Sequence, residues 1–451
     1  MRHKSGQCWR ADDCRSLAIL FLAAMAIGFA GAQATEQGSM ARPDPGKPIA
    51  LEDAIRRAEA NEPAFAASLA ESRAAGLDSS IARSGLLPGV QYHNQTLYTQ
   101  TNRGQTVPRF IANNAAREYT SQAVVNETLG LGQLAGVRRA DAAAARAAAE
   151  LEIARRGLTA AVTGLFYGSL AAEKKLAVAE RARAEAAEFT SLTNKREQAR
   201  EAAHADAVKA QLAEQQRERE LSDARVAAEK ARLELGVLLF PDPRTPYVLA
   251  APDAAPELPT HAESEQAAAR SNPELKSALA ALGVSNADVL AARAAYLPDL
   301  GLNVTYGIDA AQFAVNGPDH LRNLGYSASV TLDIPVWDWL ATGHKVKQSE
   351  IRRDAAKVAL TATQRRLIAR LDEAYEEAAA AREQLASLDA SIATAAESLR
   401  LTKLRYTEGE ATVLEVVDAQ NALVVAENAR EDGRVRYQAA RADLETITGT
   451  M

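Results

Sequence analysis

The chain repeats itself once at a shift near 210 residues, and a duplicated chain folds as two like units plus whatever joins them. Pro63 and Pro88 stand 25 residues apart, and so do Pro273 and Pro298; in each pair the second proline follows a leucine, Leu87 or Leu297. Tyr119 to Gly136 spans the same 17 steps as Tyr326 to Gly343. Arg196 with Ala210-Gln211 is echoed by Arg405 with Ala419-Gln420. Between the copies, residues 241–260 hold six prolines, which forbids regular helix there and marks a linker or crossover.

Each copy has the internal order helix, strand, loop, strand, long helix, turn, helix. The first, residues 35–240, is expected to carry helices over about 51–87, 137–194 and 203–239 and strands over 88–100 and 119–129. The second, 261–451, carries helices over 262–297, 344–404 and 411–447 and strands over 299–309 and 326–336. No proline interrupts Arg109 to Phe240 or Val336 to Met451, and both stretches are rich in Ala, Leu, Glu and Arg. Alternate steps of four and three from Leu360 to Leu399 meet an apolar residue at every position except Gln364, which is a coiled-coil seam. A helix from His344 to Leu404 is about 90 Å long at 1.5 Å per residue, a rod that an ordinary globular domain has no use for.

The second strand pair alternates cleanly. Leu300, Leu302, Val304, Tyr306 and Ile308 share one face, and Tyr326, Ala328, Val330, Leu332, Ile334 and Val336 share one on the return. One apolar and one small polar face suits a water-filled membrane barrel; alternation alone fits a soluble sheet packed on helices equally well. The first pair is less regular and rests on its place in the repeat. Tyr296, Trp337 and Trp339 cluster where strands meet helices, as interface anchors would, although turn packing also accounts for them.

The N-terminus bears on the compartment. Arg2, Lys4, Arg10 and Arg15 precede an apolar run from Leu17 to Ala30, and Ala32-Gln33-Ala34 offers a cleavage site, so residues 1–34 read as a secretory signal peptide. The run is shorter than the roughly 20 residues of a spanning helix, which weighs against a retained anchor. Cys8 and Cys14 precede the run, leaving the exported chain without thiols for disulfides, metals or nucleophilic attack. A formal charge of -6 with 5% aromatics offers nucleic acid no basic stripe. His93, His204, His261, His320 and His344 are scattered singly, with no catalytic set, metal-ligand spacing or phosphate loop, so neither an enzyme, a metal site nor a cofactor is expected.

Four strands cannot close a membrane barrel, whose smallest form has about 8. Two copies give about 8 strands, filled by their own side chains, and three give about 12, which leaves a passage. The expected fold is therefore mainly α with membrane β: duplicated helix-strand-strand-helix units, a long coiled-coil tunnel, and four strands contributed to a trimeric 12-stranded barrel.

The segment from Arg405 to Gln420 (RYTEGEATVLEVVDAQ), together with the Asn-Pro and Leu-Pro pairs and the segment from Asp333 to Gly343 (DIPVWDWLATG), resembles the TolC-type outer-membrane efflux proteins over essentially all of the exported sequence. The resemblance implies a homotrimer in the outer-membrane lipid, reaching through the periplasm to a periplasmic adaptor and an inner-membrane pump. It implies that Glu415 and Asp418, three apart on one helical face, line the periplasmic constriction as rings of three carboxylates, whose repulsion is expected to raise their pKa values. It also implies that Arg405, Tyr406 and Gly409 form the turn and gate. The first-repeat tip, Arg196, Arg200 and Asp206, departs from the pattern: Arg200 replaces Gly409, Glu197 replaces Tyr406 and Lys209 replaces Asp418. The basic lock residue expected two places after Gly409 is Ala411. The competing reading is a soluble periplasmic coiled-coil scaffold or adaptor, which has no need of two strand pairs.

Overall fold

A computed structural model describes residues 48–98, 117–250, 257–317 and 322–449. The signal-peptide segment 1–34, the loop 99–116 and part of the linker, 251–256, lie outside the described residues. In chain order the elements are α1 (Leu51–Asn61), α2 (Pro63–Ser84), β1 (Gly89–Tyr98), β2 (Arg117–Leu129), α3 (Leu131–Gln198) and α4 (His204–Leu239). The second copy follows with α5 (His261–Ser271), α6 (Pro273–Ala294), β3 (Asp299–Ala310), β4 (Leu324–Asp333), α7 (Ala341–Thr407) and α8 (Val413–Thr448).

Two expected helices are broken, and the breaks are equivalent. The expected helix over 51–87 is α1 and α2, and that over 262–297 is α5 and α6. Proline lacks an N–H and drives the residue before it out of the helical region, so Glu62 (ψ 115°) and Asn272 (ψ 122°) are extended, and Pro63 and Pro273 then open new helices. Asn272 accepts from the Leu275 N–H at 2.9 Å and donates to the Ile447 carbonyl at 3.2 Å, fastening the break to the end of α8. Asn61 does the same for α4, donating to the Leu238 carbonyl at 3.2 Å. Beside the second break the buried Arg156 guanidinium donates to the carbonyls of Thr446 (3.0 Å) and Ser271 (3.3 Å), so one cation serves the C-termini of α8 and α5.

The start of the proline-rich segment is folded rather than loose. Leu249 forms a parallel bridge with Ile49, and both join Phe166, Leu235, Leu239 and Phe240 in the largest apolar core. The Tyr247 hydroxyl donates to the Arg232 carbonyl at 2.7 Å.

The strands make one antiparallel sheet in the order β1-β2-β3-β4. Its registers bring Val90, Val125, Val304 and Ala328 into one row, and Tyr92, Ala123, Tyr306 and Tyr326 into the next. The opposite face carries Gln91, Val124, Thr305 and Ser327, then Gly89, Asn126, Asn303 and Ser329. The less regular first pair therefore obeys the same alternation once registered. Among the described residues no helix covers the apolar face: Tyr326 is 83% and Val330 70% exposed. β4 ends at Asp333, three residues earlier than expected, and Ile334 and Val336 belong to a strap that is also exposed.

The longer helices lie side by side in one row, with α1 and α5 packed onto it. Toward the sheet the order is α2, α3, α6, α7; toward the far end it is α4, α3, α8, α7, with α3 and α7 running the whole length. α3, at 68 residues, is about 100 Å long. Along α7 the seam from Leu360 to Leu399 is buried or half-buried at every position but Gln364. Gly433 of α8 sits against Leu385 and Leu388 of that seam, where a Cβ would come within 2.5 Å of Leu388 Cδ1. Both the sheet and the layer end in bare edges, β1/α2/α4 on one side and β4/α7 on the other.

The candidate functional site at the helix tips

The far end of the layer is two helical turns, and their backbones are the same. α3 ends at Gln198 and α4 begins at His204; α7 ends at Thr407 and α8 begins at Val413. The Glu201 N–H donates to the Arg196 carbonyl at 2.8 Å, and the Glu410 N–H donates to the Arg405 carbonyl at 2.8 Å. Gly409 takes the left-handed conformation that such a turn requires, at φ 82°, and Arg200 takes it at φ 65° without the freedom of glycine. Chemically unlike, the tips are conformationally equivalent.

What opens each return helix differs. Thr412 is the N-cap of α8: the Glu415 N–H donates to its hydroxyl at 3.3 Å, and the Thr412 N–H donates to Glu415 Oε1 at 3.2 Å, a reciprocal capping box. Arg405 donates to Glu415 Oε2 at 3.3 Å and to the Glu410 carbonyl at 3.0 Å. The first tip has Ala203 in place of Thr412 and lacks a side-chain cap, and Asp206 pairs with Lys209 at 3.7 Å.

These contacts act on the charge state of Glu415. Within the protomer its carboxyl is held below the ordinary value, first by the Thr412 backbone N–H and hydroxyl and then by Arg405. Repulsion from other carboxylates has to work against these donors. Asp418 lies exposed one turn further along α8.

Tyr406 is 6% exposed and occupies the joint between the two hairpins. Its ring meets Phe189 edge-on at 5.1 Å, and its hydroxyl shares a hydrogen bond with buried Thr193 at 3.3 Å. Arg196 of the first tip donates to the Tyr406 carbonyl at 2.6 Å and lies over the ring at 4.9 Å. Ala411 packs on the same small core, with Val413 and Val416. The structure thus brings Arg196, Arg405, Tyr406, Gly409 and Glu415 into one joint. Arg200, Asp206 and Asp418 take no part in these contacts.

Phe189 and Thr193 were missed in the sequence, as were the ionic rungs above them. Glu185 pairs with Lys403 at 3.1 Å, Arg181 with Glu427 at 2.8 Å, and Lys175 with Asp432. Phenylalanine is rare in this chain, with eight in all, and that rarity inside an alanine-rich helix was the available signal. Within each hairpin the helices close on small apolar residues. Between hairpins, above the Tyr406 joint, the ion pairs bridge beside a groove of about 690 Å³ between α3, α4 and α8. Partly exposed ion pairs are worth about 0–1 kcal/mol each, so the inter-hairpin seam is the compliant one.

Residues 265–450 match the family described as outer membrane efflux protein, a match that falls on the second copy. The chain is 29% identical over 177 residues to outer membrane protein OprJ of Pseudomonas aeruginosa, covering 39% of this chain and 36% of that one. It is 29% identical over 202 residues to protein CyaE of Bordetella pertussis, covering 44% and 42%. The chain thus spans less than half the length of either relative. Among solved structures it is similar to the Campylobacter jejuni CmeC outer membrane channel, with TM-score 0.75 and 16% identity over 88% of this chain and 85% of that one. It is also similar to the Vibrio cholerae outer membrane protein VceC, with TM-score 0.74 and 16% identity over 88% and 96%. At these identities the likeness is one of fold.

Proposed function

We propose that this chain belongs to the outer membrane efflux protein family, whose match falls on residues 265–450, and is one protomer of a homotrimeric outer-membrane channel that passes solutes from a periplasmic adaptor and an inner-membrane pump to the exterior. The observation that carries the reading is the sheet: four strands, apolar on one face, polar on the other, and, among the described residues, covered by no helix and open at both edges. In lipid every backbone polar group needs a partner, so such a sheet is stable there only when closed by further strands. No described helix is long and apolar enough to cross a membrane; the sheet is the part suited to lipid. Three copies supply about 12 strands, enough for an aqueous passage.

Exposed Trp337 and Trp339, packed edge-on at 5.8 Å beside the end of the sheet, suit the periplasmic-side interface of the outer membrane. The tips are then the periplasmic gate, where Glu415 and Asp418 each form a carboxylate ring and the Tyr406 joint holds the hairpins together. A passage of this kind performs no covalent chemistry. The rival reading, a soluble periplasmic scaffold or adaptor, leaves an uncovered apolar sheet face in water. Sucrose-gradient separation of membranes followed by planar-bilayer recording tests the proposal. The folded protein should be found with the outer membrane and conduct ions; recovery in the soluble periplasm would sink it.

A further inference from the structure

The groove between α3, α4 and α8 opens on the face of the helix row that carries Asp418, and two spacings place it there. On α3 its floor is Gly168, Ala171, Ala172, Ala179 and Ala182. Phe166 shares the largest core with Ala54 and Ala58 of α1; it stands two residues before Gly168, about 200° away around the helix. So α1 packs on one face of the row and the groove opens on the other. On α8 the wall includes Val425 and Asp432, which follow Asp418 at steps of seven and keep its face to within about 20° per step. Asn421, where the α8 wall begins, lies about one turn beyond Asp418. In a closed channel this is the wall of the conduit, just beyond the constriction.

The volume of about 690 Å³ falls within the range of about 300–1,000 Å³ of small-molecule sites. Three features of the lining select a solute. The floor carries nothing larger than a methyl group, so a flat apolar body can lie along α3, beside Val425, which is 67% exposed. The two cations of the lining are already engaged: Lys175 pairs with Asp432, and Arg217, 8% exposed, pairs with Glu220 and donates to Asn421. The Gln216 amide is also spent, donating to Glu220 at 2.9 Å. What is left over is acceptor. Asp223, exposed on the α4 wall, has no hydrogen bond or ion pair among the described residues, and Asn428 on the α8 wall has a buried Oδ1 to which no described group donates. The lining therefore carries one negative charge in excess over an apolar floor.

We propose that this groove binds amphiphilic organic monocations, the apolar body lying on the alanine floor of α3 and the charged end beside Asp223. Only the place of the groove on a conduit wall rests on the channel reading. The site itself needs one protomer.

Ethidium, a planar monocation with two amino groups whose fluorescence rises away from water, is the probe. Titrated into the full-length protein in detergent, with empty micelles subtracted, it should bind saturably. Asp223→Asn should weaken binding about fivefold, the worth of one partly exposed ion pair, and Ala179→Trp should abolish it by filling the floor. Asp223 is exposed, so its substitution spares the core and keeps the test decisive even if the tryptophan variant fails to fold. Anilinonaphthalene sulfonate, an apolar anion, should give a signal that neither substitution changes. Equal ethidium affinity in the parent and in Asp223→Asn, or displacement of ethidium by the anion, would overturn the cation site. In planar bilayers ethidium should block the parent, and Asp223→Asn should relieve the block. A parent that conducts and is not blocked would overturn the site's place on the conduit wall while leaving the channel reading intact. A parent that binds ethidium through Asp223 and does not conduct would overturn the channel reading while the site stands.

Discussion

Replacing Arg196 with methionine should loosen the joint between the hairpins without unfolding either. The side chain makes two contacts with Tyr406: a charged hydrogen bond to its carbonyl at 2.6 Å and a stack over its ring at 4.9 Å. A hydrogen bond from a charged group contributes about 1.5–3 kcal/mol, and a partly solvated cation over an aromatic ring about 0.5–1 kcal/mol. The Arg196 side chain is 20% exposed, so solvent screening places the pair at the low end, about 2 kcal/mol, or about 30-fold in the closed-to-open ratio of one protomer. Methionine keeps much of the apolar stem and removes both contacts. Hydrogen exchange of amides at the start of α8 should quicken by a comparable factor while those of the Phe166 core do not change. In planar bilayers the closed-state conductance should rise. A double-mutant cycle with Tyr406→Leu isolates the ring contact and should return about 1 kcal/mol of coupling. Unchanged exchange at the tip together with unchanged conductance would refute the assignment of Arg196 as the latch.

Four further outcomes follow from the same structure. Glu415→Ala with Asp418→Ala should raise conductance and weaken block by cations; identical recordings would mean that these carboxylates only cap and solvate α8. Because the Glu415 carboxyl is held below its ordinary value, its contribution to the cap is complete above that ordinary value and is lost as pH falls through the lowered one; exchange protection of the first turn of α8 should hold at pH 5 and fail only in stronger acid, and Thr412→Val should move the failure upward. Burial pushes the Tyr247 phenol up to about 12, so the folded state stays protonated where the unfolded chain ionises, and stability should fall between about pH 10 and 12, with Tyr247→Phe removing one late transition from the ultraviolet titration. Arg156→Met should cost about 3 kcal/mol in unfolding experiments, since the carbonyls of Thr446 and Ser271 lose their shared donor.

The duplication, the seam along α7 and the second strand pair were legible because each is a periodic pattern that local chemistry enforces. The first strand pair was not legible by itself: polar Asn94 and Thr96 share its apolar face, and only registration against β2 shows which side that is. Pro63 and Pro273 were read as landmarks of the repeat when they were also helix breaks, since a proline at a first helical position and one in a helix interior look alike in sequence. At the tips, Gly409 announced a left-handed residue, but Arg200 could not, because arginine adopts that conformation only where the surrounding turn compels it. The latch escaped because its partners, Arg196 and Tyr406, are 210 positions apart and one of the bonded atoms is a backbone carbonyl, which carries no signature of its own.

The bare edges of β1 and β4 have a consequence for how the protein comes into being. A lone chain in a bilayer would leave two rows of amide and carbonyl groups without partners, each costing several kcal/mol, and a lone chain in the aqueous periplasm would present those rows and an oily sheet to every other strand it met. Insertion and association are therefore one event on this architecture, and its rate should climb more steeply than the first power of chain concentration. Modest drops in synthesis would then remove far more channels than chains, and chains waiting for companions would depend on chaperones to keep them from aggregating.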